Sequence, residues 1–174
     1  MPDEEDLWIE RARRGDVESF SRVVLLRQGY VRAFLGRFTG HPDVVDDLAQ
    51  ETFLRAWRKL ETFRAEGRFS TWLFGIAVNE FRARLRRDRR HLWEDLDGQT
   101  AETEPATGPS LHGLRLDLDE ALLRLTLPER AAILLCCQQG LTHEEAAQTL
   151  RAPLGTVKTN ILRGKEKLRR WLRT

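Results

Sequence analysis

Apolar residues along this chain recur at the spacing of helices, and strand-like alternation is nearly absent. Residues Glu4 to Arg14 form a short helical pattern closed by Gly15, a residue suited to the left-handed turn after a helix. Asp16 can cap a second helix whose inner side carries Phe20, Val23, Val24, Val31, Phe34 and Phe38. His41-Pro42-Asp43 breaks the chain and starts a third, with Val45, Leu48, Ala49, Thr52 and Ala56 at helical spacing and Phe53, Trp57 and Leu60 widening the stripe. That leaves Asp46, Asp47, Gln50, Glu51, Arg55 and Arg58 facing outward. Ser70 is placed to cap a fourth helix, FSTWLFGIAVNEFRARLRRDRR, which begins almost wholly apolar and carries six arginines in its last ten residues. The helical pattern resumes at Leu118, Ala121, Leu122 and Leu125, and Leu127-Pro128-Glu129 opens a further helix ending near Gly140.

Between these blocks, residues 94–113 combine acids with Gly, Pro, Ser and Thr and hold few apolar groups. Such a segment cannot bury enough surface to offset the entropy of ordering it. The pattern predicts an all-α protein of two small helical domains, residues 1–93 and 114–174, joined by a flexible acidic linker over 94–113. Charge sharpens this division. Residues 1–93 carry 18 Lys and Arg against 15 Asp and Glu, residues 94–120 carry one against eight, and residues 121–174 carry ten against four. Basic surfaces for a polyanion, separated by an acidic connector, follow from that segregation.

Residues 141–172, LTHEEAAQTLRAPLGTVKTNILRGKEKLRRWL, carry the sharpest local pattern. Thr142 and Glu145 have capping-box spacing. Ala146, Ala147 and Leu150 give a short helix a small-residue face, and Arg151 to Gly155, containing Pro153, supplies a turn. On the next helix Val157, Ile161, Gly164 and Leu168 form one inward stripe, leaving Lys158, Thr159, Asn160, Arg163, Lys165 and Lys167 as outward donors. This is the pattern of a helix-turn-helix, with the second helix positioned for a DNA major groove.

Other chemistry has little support in the sequence. Cys136 and Cys137 are adjacent, which suits neither a disulfide framework nor a metal site, and they read as small core residues. No His/Cys cluster, Gly-rich phosphate loop or nucleophile with a base at suitable spacing is found, so neither an enzyme nor a metal or other cofactor is expected. The opening residues MPDEEDLWIERARRGD contain no apolar run, and none elsewhere approaches the ~18 residues of a membrane span. A cytoplasmic protein without membrane insertion is the expectation.

The segments LPERAAILL and GLTHEEAAQTLRAPLGTVKTNILRGKEKLR together resemble the promoter-binding fourth region of extracytoplasmic-function sigma factors. DVVDDLAQETFLRAWRKL followed by FSTWLFGIAVNEFRARLRR is similar to that family's second region. The resemblance spans nearly the whole chain. It implies a subunit of bacterial transcription initiation whose partners are core RNA polymerase, promoter DNA and an anti-sigma protein. It assigns the polymerase contact to Asp47, Gln50, Glu51 and Arg55. The downstream promoter element falls to Asn79 as reader of a splayed base, to Phe69, Trp72 and Phe74 as weaker aromatic candidates, and to Arg82, Arg84, Arg86 and Arg87 on phosphate. The upstream element falls to Thr156, Lys158, Thr159, Asn160, Arg163, Lys165 and Lys167. Two departures stand out: the family often has Ser-Arg where Thr159-Asn160 stands, and Ala where Gly164 stands. Asn prefers adenine where Arg prefers guanine, so the upstream preference is expected to differ. Gly164 on an exposed helix is expected to cost about 1 kcal/mol relative to Ala. A second reading, a stand-alone helix-turn-helix regulator, accounts for residues 141–172 but leaves 43–90 as core alone.

Overall fold

The computed structural model describes the backbone of residues 3–64, 67–95 and 113–172, and the side chains of 3–64, 67–88 and 118–172. Eight α-helices follow one another among these residues, with no strand: α1 (Glu4–Arg13), α2 (Val17–Thr39), α3 (Pro42–Lys59), α4 (Phe69–Asp95), α5 (Gly113–Leu123), α6 (Leu127–Ile133), α7 (His143–Leu150) and α8 (Leu154–Trp171). Most of the expected linker, residues 96–112, lies outside the described residues.

Local chemistry accounts for the helix ends. The Asp16 carboxylate accepts from the backbone N–H of Glu18 at 3.1 Å and of Ser19 at 3.4 Å, satisfying two donors that the first turn leaves orphaned. Those bonds, led by one from the Ser19 hydroxyl, hold its carboxyl below the ordinary carboxylate value. Gly40 stops α2 with φ 66°, a conformation that a side chain would strain. Pro42 occupies the first turn of α3, where its missing N–H costs nothing. One expected cap moves. Helix α4 starts at Phe69, and the Arg68 carbonyl accepts the first helical bond from Trp72 at 3.3 Å, so Ser70 lies inside the first turn.

In the first half α2, α3 and α4 pack around Val23, Val31, Phe34, Leu35, Leu48, Leu73 and Val78, all at most 2% exposed. An aromatic chain ties α2 to α4: the Phe34 ring lies 5.0 Å from Phe38 and 4.7 Å from Phe74, and Phe38 lies 5.4 Å from Phe81. Burying each such side chain contributes about 1.5–3 kcal/mol. The second half packs α6, a π-helical turn over Leu134–Gln138, α7 and α8 around Ala132, Leu134, Leu135, Ala146 and Val157. Cys136 sits half-buried in that turn with its thiol pushed up to about 11 by burial, whereas Cys137 is exposed and so does not belong to the core as expected.

The halves touch. Leu123 comes within 3.0 Å of where a Cβ on Gly40 would stand. Arg130, on α6, donates to the carbonyls of Leu122, Leu123 and Leu125 and, across the halves, to that of Phe38 at the end of α2. Each carbonyl belongs to a helix end or the turn after it, where acceptors are in excess. Burial lowers the Arg130 pKa to about 10, and no carboxylate among the described residues pairs with it.

Candidate nucleic-acid interface

The second half builds its outer helix in three steps. Thr142 caps α7, its hydroxyl accepting from the Glu145 N–H at 3.1 Å while the Glu145 carboxylate accepts from the Thr142 N–H at 2.7 Å. Arg151 takes the left-handed conformation with φ 50°, and the N–H of Ala152 returns to the Ala147 carbonyl at 3.0 Å, which turns the chain sharply into α8. Helix α8 then packs against α6 and α7 with Val157 and Ile161 buried, leaving Thr156, Lys158, Thr159, Arg163 and Lys165 exposed. Asn160 is half-buried, so it stands less open to a base than Thr159.

Two positions on α8 differ from expectation. Gly164 is buried, and a Cβ there would lie 2.9 Å from Cγ1 of Ile133 and 3.4 Å from its Cδ1. The glycine permits close approach of α8 to α6, so the exposed-helix cost does not apply. Lys167 is half-buried rather than a free outward donor. Its ammonium donates to both carboxylate oxygens of Glu129 at 2.8 Å, and Glu129 is only 4% exposed. Burial alone would raise the Glu129 pKa, but the bonds from Lys167 and Thr126 outweigh it and hold the carboxyl below its ordinary value. Lys167 therefore clamps α8 to α6, and its charge is committed before any phosphate arrives.

In the first half the aromatic candidates sort by burial. Phe69 is 6% and Phe74 4% exposed, so both rings are packed in the core here rather than standing open as a DNA contact would. Trp72 is half-buried, its ring 5.4 Å from Phe63 and 5.5 Å from Phe69. Asn79 is also half-buried, and its amide donates to the Gly75 carbonyl at 2.9 Å. Arg82 donates across the halves to the Leu150 carbonyl at 2.9 Å. Arg86 and Arg87 are exposed.

Helix α3 presents Asp47, Gln50 and Glu51 to solvent. Arg55 holds the buried Glu80 of α4 at 2.9 Å, so it anchors one helix to the other as well as facing outward. Arg84 pairs with Asp47 at 3.4 Å and Asp88 at 3.9 Å.

Comparison with known proteins decides the family. Residues 24–91 match the family described as sigma-70 region 2, and residues 115–168 match sigma-70, region 4. The chain is 35% identical over 170 residues to the ECF RNA polymerase sigma-E factor of Escherichia coli K12, covering 91% of this chain and 88% of that protein. It is 34% identical over 171 residues to the RNA polymerase sigma-H factor of Pseudomonas aeruginosa, with the same coverage of 91% and 88%. The chain belongs to the extracytoplasmic-function sigma factors of the sigma-70 family.

Solved structures agree. The sigma factor RpoE in complex with the anti-sigma factor NepR from Bartonella quintana aligns with a TM-score of 0.72 and 30% identity over 91% of this chain and 99% of that one. CnrH in complex with the cytosolic domain of CnrY aligns with a TM-score of 0.65 and 28% identity over 98% and 97%. A stand-alone regulator does not account for the region 2 match over residues 24–91.

Within this sigma factor the structure brings together two residue sets that the sequence reading kept apart. Asp47, Gln50, Glu51, Arg84, Arg87 and Asp88 line one open cleft of about 340 Å³, so the α3 face and the arginine run of α4 share a wall. Sequence reasoning also passed over Leu162, which is 60% exposed on α8 one turn after Thr159. The signal was available: Leu162 is apolar yet falls outside the stripe of Val157, Ile161, Gly164 and Leu168.

Proposed function

We propose that this sigma factor joins core RNA polymerase through the outer face of α3, reads an upstream promoter element with α8, and captures an opened downstream strand along α4. The observation that carries this reading is the union in one chain of the region 2 and region 4 segments, with α8 exposing Thr156, Lys158, Thr159, Arg163 and Lys165 over a buried inner stripe. Lys158 and Lys165 neutralise phosphate, while Arg163 can donate two bonds to one guanine edge. Leu162, exposed beside them, offers a surface for a thymine methyl. On α4, Asn79 supplies an amide for an unstacked base, with Trp72 two turns earlier and Arg82, Arg84, Arg86 and Arg87 along the backbone path. Asp47, Gln50 and Glu51 give polymerase an acidic and amide face.

The protein acts in the cytoplasm as a non-enzymatic subunit. The described residues form no helix long and apolar enough to cross a membrane. An anti-sigma protein is a further partner, supported by the likeness to RpoE, solved in complex with the anti-sigma factor NepR. Reconstitution with purified core polymerase is the test. Stoichiometric association and promoter-specific initiation are expected; tight binding to promoter DNA without any association with core polymerase would overturn the reading.

A further inference from the structure

Between Glu145 and Glu166 the chain holds no acid and four cations, Arg151, Lys158, Arg163 and Lys165. The last three stand on α8 and belong to the reader described above. Arg151 does not. It lies in the turn between α7 and α8, exposed, and its guanidinium pairs with no carboxylate among the described residues. Its backbone is the unusual part. Arg151 has φ 50° and ψ 48°, the left-handed region in which a Cβ crowds the following carbonyl oxygen. At the other three positions of positive φ among the described residues the chain has glycine: Gly15, Gly40 and Gly140.

Gly140 makes the sharpest contrast, because it too lies in the second half and leads into a helix of the helix-turn-helix. The turn into the supporting helix α7 uses glycine at φ 71°, whereas the turn into the reading helix α8 uses arginine. The turn itself does not need the side chain. Arg151 caps α7 by donating its backbone N–H to the carbonyls of Ala147 and Gln148, which glycine would do equally. A Cβ in this conformation disfavours the fold by about tenfold against glycine. Something outside the chain must therefore use the guanidinium.

We propose that Arg151 is a phosphate contact of the upstream complex, holding the DNA backbone at the edge of the groove that α8 enters. This rests on the reading of α8 given above. Three residues take the chain from Arg151 to Leu154, the first of α8, so their Cα atoms lie within about 10 Å of each other. A recognition helix presents its N-terminal residues to base edges, which brings the turn before it beside the flanking phosphates. A guanidinium can give two parallel bonds to one phosphate. Such a contact fixes how α8 sits without reading sequence, and leaves base choice to Thr159 and Arg163.

Arg151→Gly separates this role from a structural one, because the two move stability and binding differently. In a denaturant melt the folding equilibrium should rise about threefold, since relief of the left-handed strain exceeds the freedom that glycine adds to the unfolded chain. In complex with core polymerase, affinity for promoter DNA should fall about three- to tenfold. The factor should be the same on every single-base variant of the upstream element, and the salt slope should fall by about one unit. Arg151→Lys should keep the native slope. Native affinity and slope in Arg151→Gly, a loss confined to one base position, or a loss of stability accompanying the loss of binding each overturns the proposal. If the native chain with core polymerase shows no preference among upstream variants, the reading of α8 has itself failed and the phosphate contact falls with it.

Discussion

Helices α4 and α8 both join apolar residues packed on the protein to a series of cations, yet the structure treats their outer positions oppositely. On α8 the inner stripe meets α6, and the outer residues Lys158, Thr159, Arg163 and Lys165 stay in solvent. On α4 the stripe of Gly75, Asn79 and Arg82 meets a second helix from the other half of the chain. A helix's own periodicity tells which side its bundle takes. It is silent on whether a distant segment takes part of the remaining side as well, because that contact depends on shape and on groups such as the Leu150 carbonyl that every residue type carries.

Changes of side chain should separate core from reader, beginning with the largest effect. Phe74→Ala removes a ring packed 4.7 Å from Phe34 and should destabilise the first half by about 3–5 kcal/mol in a denaturant melt. A Phe74 that read DNA would lose promoter opening with its melt unchanged. On the α8 side, Gly164→Ala should destabilise by about 1–3 kcal/mol, because the added methyl meets Ile133 at 2.9 Å. A gain in stability from this substitution would show the α6–α8 contact to be looser than described.

The next pair contrasts two cations of α8. Arg163→Ala should cost about 1–3 kcal/mol of upstream binding and relax preference at one position, measured by competition among single-base promoter variants, while the fold is spared. Lys167→Met should lower stability yet leave the salt slope of DNA binding where it was, since that ammonium already serves Glu129. Loss of about one unit of slope would instead place Lys167 on phosphate. The pH dependence has a definite sign. The Glu129 pKa is lowered in the folded chain, so its contribution is present above the ordinary value of 4.5 and is lost as pH falls through the lowered one. A Lys167→Met chain should show less of this acid sensitivity.

The smallest expected effect belongs to Leu162. Replacing one upstream thymine by uracil removes a single methyl and should weaken binding by about 0.8 kcal/mol in the native protein. Leu162→Ala should bind thymine and uracil promoters equally. If both proteins respond alike at every thymine, Leu162 touches no base.

Much of this molecule was readable from local pattern. Asp16, Gly15, Pro42 and the Thr142–Glu145 box mark helix ends because capping bonds form between residues two to four apart. The stripe through Val157 and Ile161 marked the buried side of α8 because 3.6 residues per turn fixes direction without knowledge of the partner. Leu162 could have been found the same way, as an apolar residue off its helix's stripe. Other features had no local signal. Gly164 looks like a helix weakness until Ile133 is seen 2.9 Å away, and Lys167 looks like a phosphate ligand until Glu129, 38 residues earlier, is seen beneath it.

Helix order, most caps and the inner face of α8 were thus determined by the sequence itself, since each depends on neighbours within about one turn. Whether a given outward donor is free was decided only in three dimensions. Arg82 and Arg163 are the same residue type on the outer sides of cationic helices, yet one bonds a carbonyl 68 positions away and the other stays exposed. The physical reason is that a guanidinium's availability depends on where acceptors and excluded volume lie around it, and these come from segments whose approach no local period records.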